Sequence, residues 1–541
     1  MTNTFSRSLF VFACLLITST SFSQQIQRCI TDEVHQQLID KKQAVDMQLF
    51  SEWLSKKSTN LRTTNEPINF IKNIPVIVHV VHNGESVGQG SNISEEQVIS
   101  QLHALNQDYN RLNPDATQTP SEFRSVASNT GIEFKLAVID PDGNLLSEPG
   151  IHRMKGSRAD WGQSTVESEL MPNYNWDADH YLNIWVVNMS NPNFLGLAFY
   201  PTSEEIEGLG QNDGLDFSTS TRDGVIIHYE VFGNNRDGEY PNLRTIYDLG
   251  RTTTHEVGHW LGLLHTWGAS NGCNNDDYCD DTPLISESNS NILTNCNVSA
   301  STCAEESNFE SAMFQNFMDY TGDACMNLFT DCQRVRMMDV LEFARPSIGA
   351  GVPQETPALT IDASGNTIEL SWTTSTEANV VYVLERSLNN YDFEVVTFGK
   401  GFSSYNDAIA EADQDQYFYR VYAVNQNGFS KSSNIANVIG RVPDVIVGIE
   451  DGEISSKDIQ VYPNPATNKI INIISDAVTT EACLLEIFDL RGQSILSQYS
   501  NSDTPFLNET LDVSALRDGI YLLRVSNRHG TATKKIMVGN L

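Results

Sequence analysis

The chain has 541 residues, 34 Lys and Arg against 69 Asp and Glu, a formal net charge of −35 and 40% hydrophobic residues. At about 150 residues per domain this predicts three or four domains, each large enough to bury a core. The charge argues against nucleic acid, which needs clustered Lys and Arg; an acidic surface favours solubility and hard cations such as calcium.

The one long apolar run lies at the start of the chain. Arg7 precedes the apolar residues 9–17, and small residues end at Ser21-Phe22-Ser23. That order predicts a secretory signal peptide over 1–23, too short to span a bilayer. A lipoprotein reading at Cys14 is weaker, because the charge is too close and Phe12 is bulky. No other segment has the length of a transmembrane helix. Of the nine cysteines, six fall between Cys273 and Cys332. In an exported chain such a cluster indicates disulfides before metal. Cys29 and Cys483 stand alone.

Residues 24–61 are polar, with weak helical periodicity at Val34, Leu38 and Val45, and have too few apolar residues for a core of their own. The β-branched run 74–82 predicts a buried strand. Ser94, Glu96, Val98, Leu102 and Leu105 predict an amphipathic helix. Further strands are expected at 132–138, 181–187 and 223–228, so strands and helices interleave in an α/β or α+β arrangement. Beyond Pro346 the pattern changes to short alternating runs. Residues 354–441 read as a small β-sandwich, and the stretch from Tyr417 to Ser430 resembles the closing strands of fibronectin type III modules. An acidic linker, 442–458, leads to a last strand-rich module, 459–541. It opens with Val461-Tyr462-Pro463-Asn464-Pro465 and closes with Asp518-Gly519-Ile520-Tyr521 and Lys534-Lys535-Ile536. This resembles the C-terminal sorting domain of type IX secretion cargo, which implies the type IX machinery as a partner and export to the cell surface or beyond. The plainer alternative is one more adhesive sandwich.

The chemistry is concentrated at residues 254–265. At about 100° per residue, His255 and His259 share one helical face while Val257, Trp260 and Leu261 occupy the other. Two imidazoles one turn apart can reach a single ion. Gly262 permits a left-handed backbone that ends the helix and lets His265 swing to the same ion. Three nitrogen ligands leave a fourth position for water, as in catalytic zinc sites. Zinc lowers the pKa of such a water toward about 7, and Glu256, beside the first ligand, is placed to take its proton. Two surface histidines one turn apart are the plain alternative to a bare H-E-x-x-H; the added Gly and third His argue against it.

This extended motif resembles that of metzincin metallopeptidases, whose domain combines a twisted sheet, the zinc-binding helix and an irregular lower subdomain. The resemblance implies a methionine turn, which Met318 within residues 316–320 matches. It also implies that Tyr320 stabilises the tetrahedral intermediate, the alternative being an exposed structural tyrosine. From Ile74 to Met337 the likeness narrows to the pappalysin family, cytophagalysin branch. Leu195, Gly196, Leu197 and Ala198 would then form the edge strand onto which an extended substrate adds. The family's two disulfides would map to Cys273–Cys303 and Cys296–Cys325. This sequence departs from the family by adding Cys279 and Cys332, which are expected to pair with each other. Asp277, Asp280 and Thr282 lie where relatives bind structural calcium, though a solvated acidic loop is the alternative. Asp323 matches the floor of the S1′ pocket in relatives that cleave before Arg, which implies a two-pronged carboxylate–guanidinium pair and Arg, then Lys, at P1′. The alternative is an exposed turn aspartate. Cys29 resembles the pro-segment cysteine that fills the fourth zinc position in latent relatives. Here Ile30 replaces the family's usual Gly, and an idle thiol is the alternative.

The expectation is therefore a multidomain exported zymogen: signal peptide 1–23, propeptide 24–61, α/β metzincin domain 62–346, then two all-β sandwich modules at 354–441 and 459–541. It is expected to be a monomeric zinc endopeptidase acting on protein and peptide substrates, with activation near Arg62. The competing class is a surface adhesin whose peptidase-like domain binds without cutting. The intact Glu256 argues against it.

Overall fold

The computed structural model describes residues 26–61, 71–203, 205–206, 222–298, 300, 302–303, 309–362, 367–377, 379–408, 415–439, 459–466, 469–478, 483–489, 494–500, 506–527 and 530–539. The expected signal peptide, Arg62 and the linker 442–458 lie outside the described residues. Among these residues no helix is long and apolar enough to cross a membrane. The chain forms two compact units, residues 1–443 and 444–541.

In the first unit the elements are β1 (Gln27–Cys29), α1 (Thr31–Asp40), α2 (Met47–Leu61), β2 (Lys72–His82), α3 (Glu95–Tyr109), β3 (Ala127–Ser128), β4 (Ile132–Leu136), β5 (Ile151–Lys155), β6 (Leu182–Val187), β7 (Phe194–Ala198), β8 (Val225–His228), α4 (Arg251–Trp260), β9 (Phe329–Thr330) and α5 (Asp331–Phe343). A twisted sheet in the order β1-β7-β8-β6-β2-β4, with β5 also on β2, forms the frame. β2 pairs in parallel with β4, β5 and β6, so both its faces need cover, and its run of apolar residues supplies it. Ile74, Val76, Val78 and Val80 pack with Val98, Leu102 and Leu105 of α3 and Val257 and Trp260 of α4. On the other face Val81, Trp185, Leu197 and Ile226 pack with Val34 of α1. Ser94 caps α3 by accepting from the Gln97 amide at 3.2 Å.

Residues 26–61, from a segment too polar for a core of its own, complete the core of the sheet domain instead. β1 adds to the sheet edge, parallel to β7, with Cys29 opposite Gly196. Phe50, Trp53 and Leu54 of α2 pack with Tyr200, Leu264 and Val340.

The sandwich at 359–439 has a three-stranded and a five-stranded sheet around Trp372, Leu384, Tyr419 and Val421. It is not a free module. Val381, Val383, Tyr422 and Phe429 share a buried cluster with Val138 and Ile139, just beyond β4. Lys135 joins Glu133 and Glu385, both at 2.9 Å, and Arg420 reaches Glu385 at 2.7 Å, all nearly excluded from water.

The second unit has a three-stranded sheet, 459–462, 470–478 and 506–512, and a four-stranded one, 484–488, 494–499, 519–527 and 530–538. Ile471, Ile473, Leu485, Leu523, Val525 and Ile536 fill the space between them.

Candidate active site

α4 carries the site because the sheet and α3 hold it rigidly: all ten of its residues are buried. It stops where Gly262 adopts φ +84°, a conformation costly for any other residue, and the chain turns back to bring in His265. The three Nε2 atoms then form a near-equilateral triangle: 3.1 Å from His255 to His259, 3.1 Å from His259 to His265 and 3.2 Å from His255 to His265. Nitrogens bound tetrahedrally at about 2.1 Å to one ion stand roughly 3.4 Å apart, so this donor set fits zinc. Burial, then the neighbouring rings, keeps His255 neutral far below its usual range and pushes His259 down to about 3. Neutral imidazoles are the form that binds metal.

Glu256 is fully buried, and one carboxylate oxygen, Oε1, has no hydrogen-bond partner. Burial pushes its pKa up to about 8, against hydrogen bonds from Cys29 and Thr31. Gly196 lets the edge strand come this close: a Cβ there would stand 2.8 Å from Cγ and Oε1 of Glu256. Met318 lies beneath the helix, and a Cβ on Gly258 would meet its sulfur at 2.5 Å. The neighbouring Phe317 carbonyl accepts from His255 Nδ1 at 2.7 Å.

Cys29 lies over the triangle, its Sγ within 4.8 Å of all three imidazole nitrogens and 3.4 Å from Glu256 Oε2. Burial, then Glu256, raises this thiol well above its usual range, so the proton stays on sulfur unless a cation draws it off. Ile30 has φ −119°, open to any L residue, and buries its side chain beside Val34 and Leu197, so the absent Gly costs no strain. Tyr320 directs its hydroxyl to the Cys29 carbonyl at 3.1 Å. Asp323 is fully buried rather than an exposed turn residue. Its Oδ1 accepts from Arg28 Nη2 at 2.8 Å, while Oδ2 holds the amides of Leu249 and Arg251 at 3.0 and 3.2 Å. Arg28 thus meets Asp323 through a single oxygen. Its second fork nitrogen goes to the Thr321 carbonyl, because Asp323 Oδ2 is already committed.

Cys273–Cys303 and Cys296–Cys325 are bonded. The expected Cys279–Cys332 bond is not formed. Both are free thiols, brought close together beside Asp281, with Cys332 Sγ directed to the Tyr278 carbonyl at 3.5 Å. Of the candidate calcium ligands, Asp277 and Thr282 meet, the hydroxyl 2.8 and 2.9 Å from the two carboxylate oxygens, but Asp280 is exposed. Burial pushes Asp277 to about 8.

Sequence reading missed Arg28, Thr31 and Asp32. Thr31 Oγ1 donates to Glu256 at 3.0 Å and accepts from the Ala198 amide at 2.9 Å, and Asp32 meets His265 Nδ1 at 2.7 Å. Their only signal was adjacency to Cys29. Nothing local pointed to Tyr200, whose hydroxyl lies 3.2 Å from His259 Nδ1.

Fold and site together define a metallopeptidase with a three-histidine zinc site. The profile described as pregnancy-associated plasma protein-A matches residues 235–342, and that of a secretion system C-terminal sorting domain matches 460–539. Mature mirolysin of Tannerella forsythia, solved with a cleaved peptide, is 39% identical over 51% of this chain and 93% of its own, with a TM-score of 0.43. A promirolysin variant from the same organism is 35% identical over 58% of this chain and 94% of its own, with a TM-score of 0.46. An extracellular metalloprotease of Arthroderma benhamiae is 27% identical over 46% of this chain and 72% of its own. The sequence identity over nearly the whole of the mirolysin chains, rather than the superposition, carries the assignment. The chain belongs to the pappalysin family of metzincin zinc metallopeptidases and ends in a type IX secretion sorting domain, so it is secreted or held at the cell surface.

Proposed function

We propose that the chain is made as a latent endopeptidase that cleaves proteins before Arg or Lys and that residues 24–61 block it by occupying its own cleft. The supporting observation is the pairing of β1 with β7 in parallel, which sets Cys29 at the histidines and Arg28 on Asp323. A substrate adding antiparallel to β7 runs the other way. The residue after its scissile bond would then fall where Arg28, the residue before Cys29, now lies. Release of β1 frees the groove, Glu256 and the Tyr320 hydroxyl together.

When bound, zinc supplies the Lewis acid that acidifies water and polarises the scissile carbonyl. His255, His259 and His265 would hold it. Glu256 takes the proton of the attacking water and returns it to the departing amine. Tyr320 donates its hydroxyl to the oxyanion, and the peptide groups of β7 hold the substrate extended. The cleaved peptide in the mirolysin structure is consistent with this use of the groove. A structural Ca2+ at the 276–282 loop is part of the proposal, supported by the buried Asp277 carboxylate, which a divalent cation would keep ionised.

Incubating activated protein with a peptide library, with and without chelator, tests this reading. Chelator-sensitive cuts before Arg and Lys are expected. Zinc-dependent cuts without that preference would remove the role of Asp323, and no cleavage by folded, zinc-loaded protein would end the peptidase reading.

A further inference from the structure

With Nε2 of each imidazole turned to the centre, each Nδ1 must be satisfied on the outside. For His255 the acceptor is the Phe317 carbonyl, at 2.7 Å, and for His259 the Leu263 carbonyl, at 2.8 Å. Both belong to the peptidase and stay with it after activation. His265 differs. Its Nδ1 lies 2.7 Å from Oδ2 of Asp32, in the first turn of α1. Asp32 Oδ1 accepts from the Tyr200 hydroxyl at 2.9 Å, so the carboxylate is anchored at both oxygens. The first turn of a helix also favours a negative side chain.

A carboxylate behind a ligating histidine fixes the proton on Nδ1, turns the Nε2 lone pair to the metal and raises its basicity. Losing such a partner typically costs roughly 10–100-fold in metal affinity. We infer that Asp32 is a positioning residue for zinc: residues 24–61 do not merely cover the site but complete it, and the latent chain holds zinc more tightly than the activated one. This rests on the reading of the three histidines as the zinc site. It is distinct from any bond that Cys29 makes to the metal, because Asp32 acts through His265. Activation removes both, and His265 alone of the three ligands exchanges its acceptor for water or substrate.

The test uses the full-length chain and the metal alone. Zinc stoichiometry and competition with graded chelator are measured for wild type, Asp32→Ala and Asp32→Asn, and for the same changes in a Cys29→Ser background, where the thiol contributes nothing. Wild type is expected to hold one zinc at this site. Asp32→Ala should release it at roughly 10–100-fold lower chelator concentration in both backgrounds. Asp32→Asn, which keeps a neutral acceptor, should fall between them. Thermal melts of the zinc-stripped proteins separate this from a structural role, which would lower those melts and leave the competition curves unmoved. Curves unchanged by either Asp32 substitution overturn the inference. A folded wild type that binds no zinc overturns the reading of the histidines themselves.

Discussion

Arg28 and Asp323, 295 residues apart in the chain, form an ion pair of 2.8 Å, with side chains 2% and 0% exposed. Breaking a buried pair from one side leaves the other charge uncompensated. Asp323→Asn keeps the shape that accepts the Leu249 and Arg251 amides but removes the charge. It is expected to lower kcat/KM for substrates with Arg at P1′ by roughly 10- to 100-fold, with apolar P1′ substrates little changed. Steady-state kinetics on a matched peptide pair checks this. Equal losses on both peptides would assign Asp323 to structure alone.

Glu256→Ala removes the proton acceptor while leaving the three imidazoles. Turnover should fall by about 100- to 10,000-fold with zinc content unchanged. Casein digestion together with metal analysis checks it; equal digestion by variant and wild type would defeat the assigned role.

Gly196→Ala sets a methyl group 2.8 Å from Glu256 Cγ and Oε1. Since β7 is held by β8 and cannot retreat, Glu256 must move. A strain of about 1–3 kcal/mol corresponds to a loss of roughly 10- to 100-fold in kcat. Zinc binding should be retained, which a chelator titration reads directly.

A Ca2+ ion proposed for the 276–282 loop predicts that thermal stability of the full chain rises with added Ca2+. The Asp277 pKa is raised from 3.8 to about 8, so without the cation its share of stability is lost as pH rises between those values. Melting curves in chelator should therefore fall with rising pH, and Ca2+ should flatten them. Overlapping curves with and without Ca2+ would refute the assignment.

The charged contact under the sandwich has the opposite sign. Glu133 is buried, which alone would raise its pKa, yet Lys135 and Arg420 hold it at about 2 against 4.5 when unpaired. Its contribution, about 3 kcal/mol, is present above pH 4.5 and lost as pH falls toward 2. Urea unfolding followed by tryptophan fluorescence should show this loss in wild type and a shallower one in Glu133→Gln.

The sequence by itself determined what lies within one turn or two of a helix. His255, Glu256, His259, Gly262 and His265 are ordered by 3.6-residue periodicity and by a glycine that can take φ +84°, so their joint chemistry is local. The β2 run and the helix after Ser94 were legible for the same reason. Only the tertiary structure decided what meets across long separations. His265 lies 233 residues from Asp32, and Arg28 lies 295 from Asp323. No periodicity links such pairs; the parallel register of β1 on β7 does. That register also set Ile30 at an ordinary φ and made the family's Gly dispensable. Cysteine counting likewise proposed a third bridge, whereas bonding depends on the three-dimensional placement of Cys279 and Cys332, which leaves both as thiols. The sandwich read as a separate module because its strands are local, while its attachment depends on Lys135 and Glu385, 250 residues apart.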